Sequence, residues 1–150
     1  MSNEARTRHR RVRRALVGVG TVLALTAVSV ATAAPAQAAV SELANYPGYG
    51  VVVACKTLEY GGYGPVWRIQ LVAASNVGKV VSGKVVVTRA GAYIGETSTS
   101  GRNGRWGVSY VYASAYFSDS YRATTGFGEL DGRGAGGTSD LRPVTAIANC

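Results

Sequence analysis

The chain has 150 residues, 47% of them hydrophobic and 20 of them glycine, with 16 Lys and Arg against 8 Asp and Glu for a net charge of +8. Its single histidine, His9, stands close to the start, so the rest of the chain cannot assemble a Ser-His-Asp or Cys-His catalytic set or a His-containing metal site. Two cysteines exclude a zinc cluster, and the length allows one modest domain behind any leader.

The first element is a leader. Arg6, Arg8, Arg10, Arg11, Arg13 and Arg14 precede an uncharged apolar run from Ala15 to Ala34, and Ala36 and Ala38 supply the small residues of a cleavage site. This is the order of a secretion signal, so residues 1–38 are expected to be a signal peptide and 39–150 the mature domain. A run of this length also fits an uncleaved anchor. Gly18, Gly20, Thr21, Thr26, Ser29 and Thr32 lower its hydrophobicity and favour cleavage. Arg13-Arg14 leaves the general and the twin-arginine export routes both open. Cys55 lies too far beyond the apolar run to be a lipid attachment site.

Without residues 1–38, ten basic and seven acidic residues leave +3. The high charge therefore belongs to the leader and gives no support for a nucleic-acid surface. The predicted compartment is extracellular and oxidising, where Cys55 and Cys150 are expected to pair. Closing a loop of that length contributes about 4–5 kcal/mol through the entropy of the unfolded chain.

In the mature part, runs rich in Val, Tyr, Ile and Thr alternate with Gly, Asn, Asp and Ser clusters, and no stretch keeps a 3.6-residue period. Strands are predicted over about 50–58, 66–74, 79–89, 92–99, 105–114, 120–128 and 142–149, about seven antiparallel strands of an all-β sandwich. Alternation assigns Trp67, Ile69, Leu71 and Ala73 to the core face, then Trp106, Val108, Tyr110 and Tyr112, then Tyr121, Ala123, Thr125 and Phe127. Val51, Val53, Cys55, Val85 and Val87 are expected to join them, with Cys150 in phase with Val144, Ala146 and Ala148. Gly101-Arg102-Asn103-Gly104 reads as a tight turn. Asp131 to Ser139, rich in glycine, is expected to be a mobile loop.

Cys55, Trp67 twelve residues on, and Asp119-Ser120-Tyr121-Arg122-Ala123 together resemble pieces of an immunoglobulin-like sandwich. Gly95-Glu96-Thr97, Asn103-Gly104-Arg105-Trp106 and Ser120-Tyr121-Arg122 are similar to bacterial secreted immunoglobulin-like or prealbumin-like modules. The likeness spans about 55–128. It implies a sandwich whose loop 59–65 sits at one end, where loops carry recognition in variable-type domains. Ala123 occupies the place of that family's second cysteine, so Cys150 would reach Cys55 by another path. The excess of Arg over Lys, with abundant Ala, Gly and Val, resembles the composition of GC-rich bacteria.

No catalytic residues, cofactor or metal site are expected. Glu42, Glu59, Glu96, Asp119 and Asp140 are scattered singly, and Glu129 with Asp131 lacks the spacing of a calcium loop. The feature that suggests recognition is aromatic. Asn45-Tyr46-Pro47-Gly48-Tyr49-Gly50 and Glu59-Tyr60-Gly61-Gly62-Tyr63-Gly64-Pro65 place Tyr46, Tyr49, Tyr60 and Tyr63 in loop-like segments. Such rings either close the ends of a small core or form a binding surface of large rigid contact area. The expected function is a secreted, non-catalytic binding module for an extracellular protein or cell-wall carbohydrate. The alternative is an inhibitor of an extracellular hydrolase, which needs a rigid exposed loop; Gly132 to Ser139 is too flexible for that unless it orders on binding. Neither nucleic acid nor a stable membrane anchor is expected once the signal is cleaved.

Overall fold

Side chains branched at Cβ, and aromatic ones, fit the open surface of a pleated strand. The runs rich in them are strands in the computed structural model, which describes residues 39–150. The expected signal segment, 1–38, lies outside the described residues. In chain order the strands are β1 (Ser41–Tyr46), β2 (Gly50–Gly61), β3 (Gly64–Ser75), β4 (Lys79–Arg89), β5 (Ala92–Arg102), β6 (Trp106–Ser114), β7 (Asp119–Glu129), β8 (Gly134–Thr138) and β9 (Arg142–Pro143). A single 3-10 turn, Val144–Ala146, follows. Among the described residues no helix is long and apolar enough to cross a membrane.

The strands form two antiparallel sheets, an all-β sandwich. Sheet A runs β1-β2-β3-β6, and sheet B runs β5-β4-β7-β8 with β9 also on β7. The chain changes sheet between β5 and β6 through Asn103-Gly104, both at positive φ (53° and 77°), where Arg105 N–H donates to the Arg102 carbonyl at 3.1 Å. This is the turn expected from the sequence, and its mirror-type geometry is why Asn and Gly occupy it.

Between the sheets lie Ile69, Leu71 and Ala73 of β3, Val81, Val85 and Val87 of β4, and Tyr121 and Ala123 of β7, with Trp67 and Phe127 against them. The expected stripes on β3, β4 and β7 therefore face the core. Each buried aliphatic side chain contributes about 1.5–3 kcal/mol. The sheets approach closely at Gly83, where a Cβ would lie 2.7 Å from Val52 Cγ1.

Two strands present the opposite face to the one expected. On β6 the core residues are Val111 and Ala113, whereas Trp106, Tyr110 and Tyr112 are exposed at 69%, 47% and 52%. The cause is crowding by β5: a Cβ at Gly107 would meet Thr99 Oγ1 at 2.5 Å, and one at Gly101 would meet the Ala73 carbonyl at the same distance. Large rings have no room inward there. On β2 the core residues are Val52, Ala54 and Lys56, while Cys55 pairs in register with Gln70 on the outer face, as Val53 does with Val72 and Val51 with Ala74. The run Val51-Val52-Val53-Ala54-Cys55 is apolar on both faces, so alternation cannot choose between them.

Nine strands, against about seven expected, reflect differences at the ends of the chain. β1 was not expected; it pairs with β2 from Ser41–Ala54 to Tyr46–Gly50. The glycine-rich segment 131–139 contains β8, whose glycines lie flush on β7 as Gly134–Gly128 and Gly136–Gly126 pairs. The expected strand 142–149 is only β9 and the 3-10 turn, and it buries Val144 and Ile147 three residues apart instead of an alternating set. Cys150 itself is exposed, out of phase with the expectation.

Cys55 and Cys150 are bonded, with Cα atoms 4.9 Å apart. The tail lies parallel to β2 just beyond the end of β1: Lys56 N–H donates to the Ala148 carbonyl at 2.8 Å, and Cys150 N–H to the Lys56 carbonyl at 2.9 Å. In antibody domains the strands bearing the first cysteine and the tryptophan lie in opposite sheets. Here β2 and β3 pair along their whole length, with Leu58 opposite Trp67. The two-layer architecture is common to both, and this connection is not.

Candidate functional site

The four tyrosines singled out from the sequence occupy different ends of sheet A. Tyr46 and Tyr49 fold inward near the start of β2. Their rings meet Phe127 at 4.4 and 4.7 Å between centroids, and Tyr46 Oη shares a 2.7 Å hydrogen bond with Thr125 Oγ1. Lys79 lies 4.9 Å from the Tyr49 ring centre while pairing with Glu129 at 2.6 Å. These two rings close one end of the sandwich. Tyr60 and Tyr63 stand at the other end, on the tip joining β2 to β3, and both are exposed. With β2 extended over 12 residues, the two pairs are separated by roughly 35 Å of strand and form no common surface.

Beside the β2–β3 tip stands a ring from the segment after β6. The Tyr116 ring lies across Gly64, where a Cβ would sit 2.9 Å from its Cε2; Gly64 also has φ 109°, so glycine is required twice over. Tyr116 and Phe117 are exposed, and Arg89 lies 4.2 Å over the Phe117 ring. Along β6, Tyr112 and Tyr110 face outward opposite Arg68 and Gln70 of β3. Arg68 sits 5.0 Å over the Tyr110 ring and is held by Glu59 at 2.9 Å, with its Nε left without a partner. The result is a short aromatic band of Tyr110 and Tyr112 on the outer face of sheet A, whereas Tyr60, in phase with Leu58 and Lys56, stands on the opposite face of β2 beyond the end of the core. Sequence reasoning missed this band because period-2 aromatics resemble a core stripe, and only the register with Arg68 and Gln70 reveals their outward face.

Charged groups beneath and beside the band are fixed. Asp119, buried at the start of β7, accepts from Arg89 Nε at 2.7 Å and Nη2 at 3.1 Å, and from the Ser114 N–H at 2.8 Å. The Arg89 hydrogen bonds hold its carboxyl below the usual range, against the opposing effect of burial. Lys56, turned into the core, donates from Nζ to the Thr145 carbonyl at 3.0 Å and to the Ile147 carbonyl, and lies 5.3 Å from the Trp67 ring centre. Burial lowers its pKa. This lysine therefore clasps the C-terminal turn.

Glu129 and Asp131, the one closely spaced acid pair, are each taken by a base: Lys79 holds the first and Arg133 the second at 2.6 Å. Among the described residues no three His, Cys, Asp or Glu side chains gather as a metal site.

A second concave region begins at the corner where β6 of sheet A follows β5 of sheet B and runs onto the outer face of sheet B. Ser100, Arg102, Asn103, Arg105, Trp106 and Leu130 line a notch of about 600 Å³ at the β5–β6 corner. Through Arg102 and Leu130 it adjoins a groove of about 390 Å³ over Ser82, Gly126 and Gly128. Cross-strand register places Ser100, Ser82, Gly126 and Gly136 in one row of this face, and Ser98, Lys84, Thr124 and Thr138 in the next.

Compared with protein-family models, with curated proteins and with solved structures, the chain gives no match.

Proposed function

We propose that this chain is a secreted, non-catalytic binding module, immunoglobulin-like in its two layers, that holds an extracellular protein or cell-envelope partner through the aromatic band of Tyr110 and Tyr112, with Tyr60 and Tyr63 at the β2–β3 tip as a separate exposed pair. The observation that carries this reading is the outward turn of Tyr110 and Tyr112 on a strand whose core face is made by Val111 and Ala113. Exposed rings at consecutive outward positions cost solvation without adding to the core, and a partner that covers them recovers the area. Tyrosine suits the task because it offers rigid apolar area with a polar tip. The disulfide is compatible with an oxidising extracellular setting, and the leader read from the sequence points the same way.

The test is titration of the oxidised protein against purified cell-wall polysaccharide and secreted proteins of its source. A Tyr110→Ser, Tyr112→Ser variant and a Tyr60→Ala, Tyr63→Ala variant are run beside the wild type. The expected result is a loss of at least tenfold in affinity for one ligand in the first variant, with unchanged melting temperature. Equal binding by both variants and the wild type overturns the reading. Stoichiometric inactivation of a secreted hydrolase, lost in the second variant, would replace it with inhibition centred on the β2–β3 tip.

A further inference from the structure

We infer that the notch at the β5–β6 corner is a separate binding site for a carboxylate-bearing glycan, with Trp106 stacking on a sugar ring and Arg102 and Arg105 holding its acid group. This goes beyond the aromatic band and does not depend on it. The band ends on β6 at Tyr110; Trp106 lies four residues away on the same strand, and the rest of the notch is lined by β5, the β5–β6 turn and Leu130.

Charge complementarity selects the ligand. Among the described residues neither Arg102 nor Arg105 has a carboxylate within ion-pair distance, although Arg68, Lys79, Lys84, Arg89 and Arg133 all do. Of the other basic groups without an ion pair, Lys56 is taken up by the Thr145 and Ile147 carbonyls and Arg122 and Arg142 lie outside the notch, whereas Arg102 and Arg105 meet in a concavity beside an exposed indole. The turn Asn103-Gly104 produces this meeting, since it puts Arg102 and Arg105 at the two ends of a four-residue reversal. Guanidinium groups bind carboxylates through paired N–H donors.

The face leading from the notch favours a sugar over other acidic ligands. It is floored by hydroxyls and bare backbone: Ser100, Ser82, Ser98 and Thr124, with glycines where β7 meets β8. A hydroxyl both donates and accepts, which matches the hydroxyls of a glycan chain. The negative face of an indole attracts the C–H groups on one side of a pyranose. Indole and guanidiniums line the same notch, so ring and acid belong to one sugar unit. A uronate meets that condition, having its carboxylate on the ring itself.

The experiment uses the oxidised protein with polygalacturonate as probe, followed by affinity electrophoresis and Trp fluorescence. Wild type is expected to be retarded, less so as salt rises, with Trp emission altered on binding. Arg102→Gln with Arg105→Gln, and separately Trp106→Ala, are expected to weaken retention at least tenfold at unchanged melting temperature. Tyr110→Ser, Tyr112→Ser is expected to bind the probe as wild type does, which separates this site from the band. No retardation of wild type, or equal retardation of the notch variants, overturns the assignment. So does equal retention by neutral dextran, which would remove the role of the arginines. Tighter retention by polyphosphate or DNA than by polygalacturonate would overturn it as well, because the sugar would then be irrelevant.

Discussion

At the scale of single residues, Asp119 does the most concentrated work. Its carboxylate has no exposed surface and satisfies three donors, two from Arg89 and one from the backbone at Ser114, so it ties β7 to β4 and to the end of β6. Arg89 is more than a third exposed and stays solvated when the charge is removed, so Asp119→Asn is expected to cost about 1–2 kcal/mol, chiefly from weakened hydrogen bonds at the buried carboxyl. The pH dependence has a definite sign. The folded carboxyl holds its proton less tightly than the unfolded one, so its stabilisation is complete above the ordinary carboxylate range near pH 4 and is lost as pH falls through the depressed value. Melting curves from pH 7 down to pH 2 should show the wild type losing stability on acidification, with the loss much reduced in Asp119→Asn. Asp119 was visible in the sequence as part of the immunoglobulin-like resemblance. Its partner was not, because Arg89 is 30 residues away and only the β4–β7 register, Arg89 opposite Asp119, brings them together.

At the scale of strands, β6 tests the account of which faces are buried. Val111 is 6% exposed and Tyr112, its neighbour, is 52% exposed. Val111→Asp would place an unpaired carboxylate between the sheets and is expected to unfold the domain, whereas Tyr112→Asp should change stability by about 0.5 kcal/mol or less. Chemical denaturation of the two variants checks this, and the opposite order would restore the inward reading of the aromatics. β3, β4 and β7 were legible because polar and apolar residues alternate along them. β2 and β6 were not, since one has apolar residues on both faces and the other has its largest rings on the outer one. The glycines of β8 look like loop residues by composition. They are strand residues here because pairing Gly134 with Gly128 and Gly136 with Gly126 leaves no side chain to clash.

At the scale of the whole molecule, the Cys55–Cys150 bond joins residues 95 apart and fixes a tail that otherwise rests on a few contacts. Those contacts are the two backbone hydrogen bonds of Lys56, its Nζ on Thr145 and Ile147, and the Ala148 N–H donating to Ser41 Oγ at 2.8 Å. The loop closed by the disulfide stabilises the fold by about 4–5 kcal/mol. For a domain near 100 residues that corresponds to a melting temperature lower by roughly 20 °C in a Cys55→Ser, Cys150→Ser protein, measurable by calorimetry. A fall of only a few degrees would mean that Lys56 and the buried Val144 and Ile147 hold the tail without the bond.

The amino-acid sequence by itself determined the all-β class, the position of most strands, the Asn-Gly reversal and the pairing of the only two cysteines, because each of these follows from local preference or from counting. It also set the chemical inventory, with no histidine after position 9 and a surplus of tyrosine. Tertiary structure alone decided which side of β2 and β6 is inside, that Tyr46 and Tyr49 close the core while Tyr60 and Tyr63 face solvent, and that Trp106 shares a notch with two arginines. Alternation encodes a face only when the two faces differ in polarity. Where both are apolar or aromatic, the choice falls to the neighbouring strand that comes closest, and that neighbour is distant in the chain.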